Sequence, residues 1–166
     1  MDKISAYTDG SSTVYKDGRN MKYGGIGVHF VGHDRDISEG FQGEDVTNQR
    51  MELLACIKCI ETYSEYFDKQ KLTIYTDSMN SINCATVWGS KWISLGWKRT
   101  TNEKIKNLDL IKQLYYLTTV YNVKYVHVRS HQKKPAETSD GYTVWYGNNR
   151  ADYLANSAML HNKNKK

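Results

Sequence analysis

The sequence holds one proline, Pro135, and three cysteines in 166 residues. With so little proline, no proline-rich linker divides the chain, and its length suits one domain with a real core. An odd cysteine count, Cys56, Cys59 and Cys84, does not suit a disulfide framework. Cys56-Ile57-Lys58-Cys59 is formally a CxxC, but a redox pair sits at a helix N-terminus, where the dipole lowers a thiol pKa. This one falls inside an apolar helical run. A structural zinc site needs four ligands and finds no second CxxC here. The cysteines are therefore expected to be buried, reduced packing residues. Also absent is any run of the ~18 apolar residues that a membrane span needs. The start, Met1-Asp2-Lys3-Ile4, lacks the apolar core of a secretion signal. An intracellular location, cytoplasmic or nuclear, with no membrane partner is the expectation. There is no internal repeat and no low-complexity segment.

What is present begins with a mild basic surplus. Lys and Arg number 23 against 18 Asp and Glu, a formal charge of +5. This points weakly to a polyanionic partner. Residues 3–8 alternate as a strand that should end at Asp9-Gly10, and the polar segment 11–21 holds the turn signal Asp17-Gly18. Residues 23–31 read as a second strand with Gly24, Gly25 and Gly27 inside it. Glycine within a strand marks close approach of another backbone or a ligand. Residues 34–42 read as the third strand of a meander. Leu53, Cys56, Ile57 and Ile60 recur at helical spacing, as do Leu110, Ile111, Leu114 and Leu117. Residues 71–76 and 123–128 are further strands. Ala151, Leu154, Ala155, Ala158 and Met159 form a last amphipathic stripe. Three strands, a helix, a strand, helices, a strand and a helix imply an α/β fold, a mixed sheet with helices on its faces. We assign residues 1–161 to one domain and 162–166 to a basic, frayed tail.

Four acids occupy telling positions. Asp9 should end the first strand and Asp77 the fourth, and in open α/β sheets functional groups gather at the carboxyl ends of strands. Glu52 falls in the first turns of the long helix, and Asp152 is expected in the first turn of the last, where partial positive charge favours a carboxylate. Any one alone reads as a turn or capping acid. Together they suit hard divalent cations, which take oxygen ligands; Mg²⁺ sits on a few carboxylates plus substrate phosphate. Two such ions ~4 Å apart can hold an attacking water and a leaving oxygen in line across one phosphodiester. Spacing alone leaves open whether the four acids converge.

The local wording bears on that point. Thr8-Asp9-Gly10-Ser11, Thr47-Asn48-Gln49-Arg50-Met51-Glu52-Leu53, Thr76-Asp77-Ser78 and Asn148-Asn149-Arg150-Ala151-Asp152 occur in that order. This pattern resembles the ribonuclease H family, specifically its cellular type 1 enzymes, over nearly the whole chain. Further similarity lies in Gly25-Ile26-Gly27-Val28, Trp88, Trp92 and Gly96-Trp97-Lys98. The resemblance implies a five-stranded mixed sheet with the second strand antiparallel and helices on both faces. It implies that Asp9, Glu52, Asp77 and Asp152 hold two Mg²⁺ ions, with Mn²⁺ able to substitute. It implies hydrolysis of the RNA strand of an RNA–DNA hybrid to 3′-hydroxyl and 5′-phosphate ends. His131 matches the family's mobile-loop histidine, which assists proton movement or product release.

The same resemblance implies the substrate contacts. RNA is told from DNA through the 2′-hydroxyl. Asn48 and Gln49 match positions that reach into the minor groove, and the groups around Gly10, Ser11 and Ser78 belong to the motifs beside the RNA strand. Thr47 and Asn107 match positions that bind a DNA phosphate; Thr47 also reads as a helix N-cap, and both roles can coexist. Trp88, Trp92, Lys98 and Thr100 fall in a stretch where Lys91, Lys98, Arg99, Lys104, Lys106 and Lys112 interleave with tryptophans. It resembles the family's DNA-gripping basic protrusion; taken alone, it fits a charged helix with core tryptophans equally well. The chain departs from its relatives at Asp45, where some place an arginine, and at Asn149, where many have Glu. It departs again in the length of residues 131–152. That long segment, with Ser139-Asp140-Gly141, Tyr142, Trp145 and Tyr146, should be a mobile flap that alters turnover more than chemistry. Its aromatics either pin it to the protein or touch substrate. A free-standing monomeric enzyme is expected. A nuclease domain of reverse-transcriptase type and a catalytically silent hybrid-binding module are the alternatives.

Overall fold

Strand pairing decides where the acids go. The computed structural model describes residues 2–15, 21–99 and 104–164. Strands β1 (Lys3–Tyr15), β2 (Met21–Phe30), β3 (Ile37–Gln42), β4 (Lys71–Thr76) and β5 (Lys124–His127) form one sheet in the order β3-β2-β1-β4-β5. β2 runs antiparallel to both β1 and β3, whereas β4 and β5 continue parallel to β1. The helices are α1 (Asn48–Tyr66), α2 (Met79–Ala85), α3 (Val87–Ser94), α4 (Leu108–Tyr121) and α5 (Tyr142–Asn164). The mixed five-stranded sheet and its antiparallel second strand agree with the sequence-based expectation.

β1 is longer than its local pattern indicates. It pairs with β4 from Lys3↔Lys71 to Thr8↔Thr76 and with β2 from Ala6↔Phe30 to Tyr15↔Met21. Asp9 therefore lies mid-strand, where β1 parts from β4, and not at the strand's end. The partner β2 carries residues 11–15 onward, and Thr13, Val14 and Tyr15 are good strand formers once paired.

The two faces of the sheet are covered differently. On one, Ile4, Ala6, Val28, Phe30, Leu72 and Ile74 meet Leu53, Ile57 and Ile60 of α1 and Ile111 and Leu114 of α4. Each fully buried side chain of this kind contributes about 1.5–3 kcal/mol. Cys56, Cys59 and Cys84 are free and buried, as expected. On the other face α5 lies directly on β2 and β3. A Cβ added at Gly25 would sit 2.1 Å from the Ala155 carbonyl oxygen, at Gly27 2.2 Å from that of Ala151, and at Gly40 2.8 Å from that of Ala158. The strand glycines thus mark backbone-to-backbone contact with a helix that presents alanines to them.

Two expectations about the C-terminal region are corrected. α5 starts at Tyr142, so Asp152 lies in its third turn and not its first, and Tyr142, Trp145 and Tyr146 are helical rather than part of a flap. α5 also runs to Asn164, into the stretch read as tail. No helix among the described residues is long and apolar enough to cross a membrane.

Because backbone cannot retreat as a flexible side chain can, Gly27→Ala should lower unfolding free energy by about 3 kcal/mol in urea titration. Gly141→Ala, with nothing within 4 Å of the added Cβ, should stay within about 0.5 kcal/mol. Equal effects at the two positions would contradict this packing.

Candidate active site

The parting of β1 from β4 leaves a notch, and four elements aim carboxylates into it. Asp9 comes from β1, Asp77 from the residue after β4, Glu52 from the second turn of α1 and Asp152 from the third turn of α5. One oxygen each from Asp9, Glu52 and Asp77 lie within 4.8 Å of one another. Asp152 faces the same cleft and adds slightly to the rise of the Asp9 carboxyl.

Gly10 makes the arrangement possible. A Cβ there would lie 2.4 Å from the Glu52 nitrogen, so only glycine lets the start of α1 rest on β1. Its N–H then donates to Glu52 Oε1 at 2.6 Å and to Asp9 Oδ1 at 2.9 Å. Thr47 fixes where α1 begins: its Oγ1 accepts from the Arg50 N–H at 3.1 Å, the capping role expected of it. Glu52 Oε2 is buried and has no hydrogen-bond partner among the described residues. An unpaired buried carboxylate oxygen is costly. The donor set around it is all oxygen, which suits a hard divalent cation.

Electrostatics tell the same story. Burial pushes the Asp9 carboxyl far above the ordinary carboxylate range, and its hydrogen bond with Glu52 and the charges of Glu52 and Asp77 push it further. Burial also raises Glu52, partly opposed by the hydrogen bond from Asp9, while Asp77 and Asp152 add to the rise. Asp77 is raised by burial and by Asp152, and held back by His131 and His127. Without a cation, like charges this close are relieved by a retained proton.

The acids line a cleft of about 670 Å³ together with Gly10, Ser11, Asn48, Gln49, Ser78 and His131. Beside it lies a second cleft of about 700 Å³ lined by Trp88, Lys91, Trp92, Arg99 and Lys106. Gln49 and Asn80 line both and so stand on the divide. One cleft is acidic, its neighbour basic and aromatic.

The RNase H family profile matches residues 1–160. The chain belongs to the ribonuclease H family. It is 35% identical to a ribonuclease H of Francisella philomiragia over 158 residues, which covers 94% of this chain and 90% of that protein. It is 31% identical to one from Acetivibrio thermocellus, covering 99% of this chain and 100% of that protein. Among solved structures, the PFV RNase H domain superposes with a TM-score of 0.73 at 19% identity, covering 95% of this chain and 94% of that one. LC11-RNase H1, solved in complex with RNA/DNA hybrid, gives 0.60 at 18% identity, covering 95% and 97%. Both superpositions speak to the fold.

As a ribonuclease H, the protein is a nuclease and phosphodiester hydrolase, and its sequence-predicted residues fall into groups. Asp9, Glu52, Asp77, Asp152, His131, Gly10, Ser11, Asn48, Gln49 and Ser78 share the acidic cleft; Trp88 and Trp92 line the basic one. Asn107 lines neither. Its Nδ2 donates to Gln49 Oε1 at 3.4 Å and its Oδ1 accepts from Arg50 at 3.3 Å, beside a bidentate Arg50–Asp109 pair. Lys98 is exposed and lines neither cleft. Thr100 lies outside the described residues. Asn80, Asn148 and Asn156 on the acidic cleft were not foreseen as site residues, nor was His127, whose Nε2 donates to the Asp77 carbonyl at 3.3 Å; Trp145, expected either to pin its segment or to touch substrate, also lines the cleft. A signal for the α5 residues existed: Trp145, Asn148, Asp152 and Asn156 lie on one helical face at steps of three and four.

A carboxyl raised in the folded state stabilises the fold while protonated. That contribution fades as pH climbs from the unfolded value, about 4, through the folded one. In EDTA the melting temperature should therefore fall by roughly 5 °C between about pH 5 and about pH 8. Mg²⁺ should restore it more at the higher pH, and Asp9→Asn should flatten most of the slope. A wild-type slope in Asp9→Asn would refute the crowding account.

Proposed function

We propose that the protein hydrolyses the RNA strand of RNA–DNA hybrids, leaving 3′-hydroxyl and 5′-phosphate ends, with residues 1–161 as the catalytic unit. The observation that carries this is the pairing of two clefts across Gln49 and Asn80. A strand to be cut fits over the carboxylates, and its complement fits the neighbouring cleft, where Lys91 and Lys106 meet phosphates and Trp88 and Trp92 pack on sugars or bases. Asn48 and Gln49, at the start of α1, would reach the minor groove, where a 2′-hydroxyl both donates and accepts. Thr47, Asn107, Lys98 and Thr100 belong to the DNA side of the same proposal.

Asp9, Glu52, Asp77 and Asp152 would hold two Mg²⁺ ions, or Mn²⁺ in their place, and the unpartnered Glu52 Oε2 is the atom that most needs one. Such ions would supply Lewis acidity at the phosphodiester and make a water easier to deprotonate at neutral pH. The chain's own residues do the rest. Gly10 holds Asp9 and Glu52 in register; the cleft walls orient the phosphodiester; His131, next to Asp77 in charge terms, serves proton movement on the leaving side. Water adds to phosphorus, the P–O3′ bond breaks and the 3′ oxygen leaves protonated. A silent binding module would have no use for a buried acid cluster this costly.

Asp9→Asn and Asp77→Asn should each reduce cleavage by about 100-fold or more, since an amide is a poor Mg²⁺ ligand. Hybrid binding in Ca²⁺ should survive, because most of the contact surface lies elsewhere. Wild-type turnover by Asp9→Asn would falsify the ligand assignment.

A further inference from the structure

His131 sits in a segment with little to hold it. Its φ is +54°, in the left-handed region that non-glycine residues seldom adopt. Among the described residues, one hydrogen bond ties residues 129–135 to another element: Trp145 Nε1 donates to the Gln132 carbonyl at 3.2 Å. Trp145 is itself anchored. It lies in the first turn of α5, its backbone N–H bonded to the Gly141 carbonyl at 3.0 Å. Its ring packs on Tyr142 with centroids 5.7 Å apart, and Tyr142 stacks on Tyr146 at 6.2 Å. Tyr146 meets His29 of β2 edge-on at 6.0 Å. Lys134 Nζ lies 5.9 Å over the Trp145 ring, from the same loop that the indole N–H grips. One turn along, Gly147 rests on the Tyr7 ring, where a Cβ would come within 2.3 Å.

We propose that Trp145 is a positioning residue that latches the His131 loop to α5. The helix that carries Asp152 at one point holds, two turns earlier, the carbonyl next to His131. Histidine and carboxylate are thereby referred to one rigid element instead of to a free loop. The indole suits this task because it combines a large anchored ring with a single N–H donor, and Trp145, His131 and Asp152 all line the one cleft. The consequence for the reaction rests on the proposed role of His131; the latch itself does not.

The test is a double-mutant cycle on the full chain with Trp145→Phe, His131→Ala and both together, assayed by single-turnover cleavage of an RNA–DNA hybrid in Mg²⁺. Hybrid affinity in Ca²⁺ and hydrogen exchange at residues 130–133 are measured alongside. Trp145→Phe keeps an aromatic ring, though a smaller one, and removes the donor. It should slow cleavage roughly 10-fold, leave Kd within about 2-fold, accelerate exchange at residues 130–133, and add nothing to His131→Ala. Weaker binding with unchanged cleavage would make Trp145 a substrate contact and overturn the proposal. Multiplying rate losses, or exchange unchanged from wild type, would overturn it too. If His131→Ala cleaves at the wild-type rate, the role of that histidine falls while the exchange result still decides the latch. Should Trp145→Phe fail to fold, NMR exchange at the Trp145 indole N–H of the wild type decides it: protection supports the latch, free exchange refutes it.

Discussion

One backbone N–H, that of Gly10, is shared between two carboxylates, and the chemistry of the site depends on it. It can serve both Asp9 and Glu52 only because α1 lies on β1 at a distance that excludes any Cβ. The same peptide leaves Glu52 Oε2 without a partner. The fold thus satisfies half of the buried negative charge and leaves the rest for something from outside. A helix N-cap at Thr47 sets the height of α1, and the glycines of β2 set the depth of α5. Asp77 arrives because β4 ends where β1 turns away from it. Each of these is a packing constraint, yet their product is an electrostatic one: acids held closer than water would allow.

A site so charged is unstable on its own, and the raised carboxyls of Asp9 and Glu52 are the trace of that instability. Carboxylates gathered in so small a space suit a hard divalent cation, whose charge would offset their repulsion. The cleft next door carries the opposite charge, with Lys91, Arg99 and Lys106 in its lining. The neutral amides of Gln49 and Asn80 stand between the two sets of charges.

Much of this was legible in the sequence. The acids stood out by their motif context, and Gly25 and Gly27 announced a close backbone approach that proved to be α5, whereas Gly24 meets Met51 and Val46. Thr47 was recognisable as a cap from its position alone. What escaped was set by distant partners. β1 runs on to Tyr15 because β2 is there to pair with it, whereas Asp9-Gly10 looks locally like a stop. Tyr142, Thr143, Val144, Trp145 and Tyr146 are β-branched or aromatic, poor helix formers by propensity, and the preceding Ser139-Asp140-Gly141 reads as a turn. Contact of Gly147 with Tyr7 and the stacked Tyr142–Tyr146 pair override that preference. The early helix start moved Asp152 to the third turn and turned the supposed flap into the anchor of the His131 loop.

The central claim is that the unpaired oxygen of Glu52 and its neighbours form a divalent-cation site. Anomalous diffraction from crystals soaked in Mn²⁺ addresses it most directly, because the metal is located without reference to activity. The account predicts anomalous density between Asp9, Glu52 and Asp77, with Glu52 Oε2 among the ligands. Manganese bound elsewhere with this cluster empty, or Glu52 Oε2 paired to a protein donor instead, would contradict it.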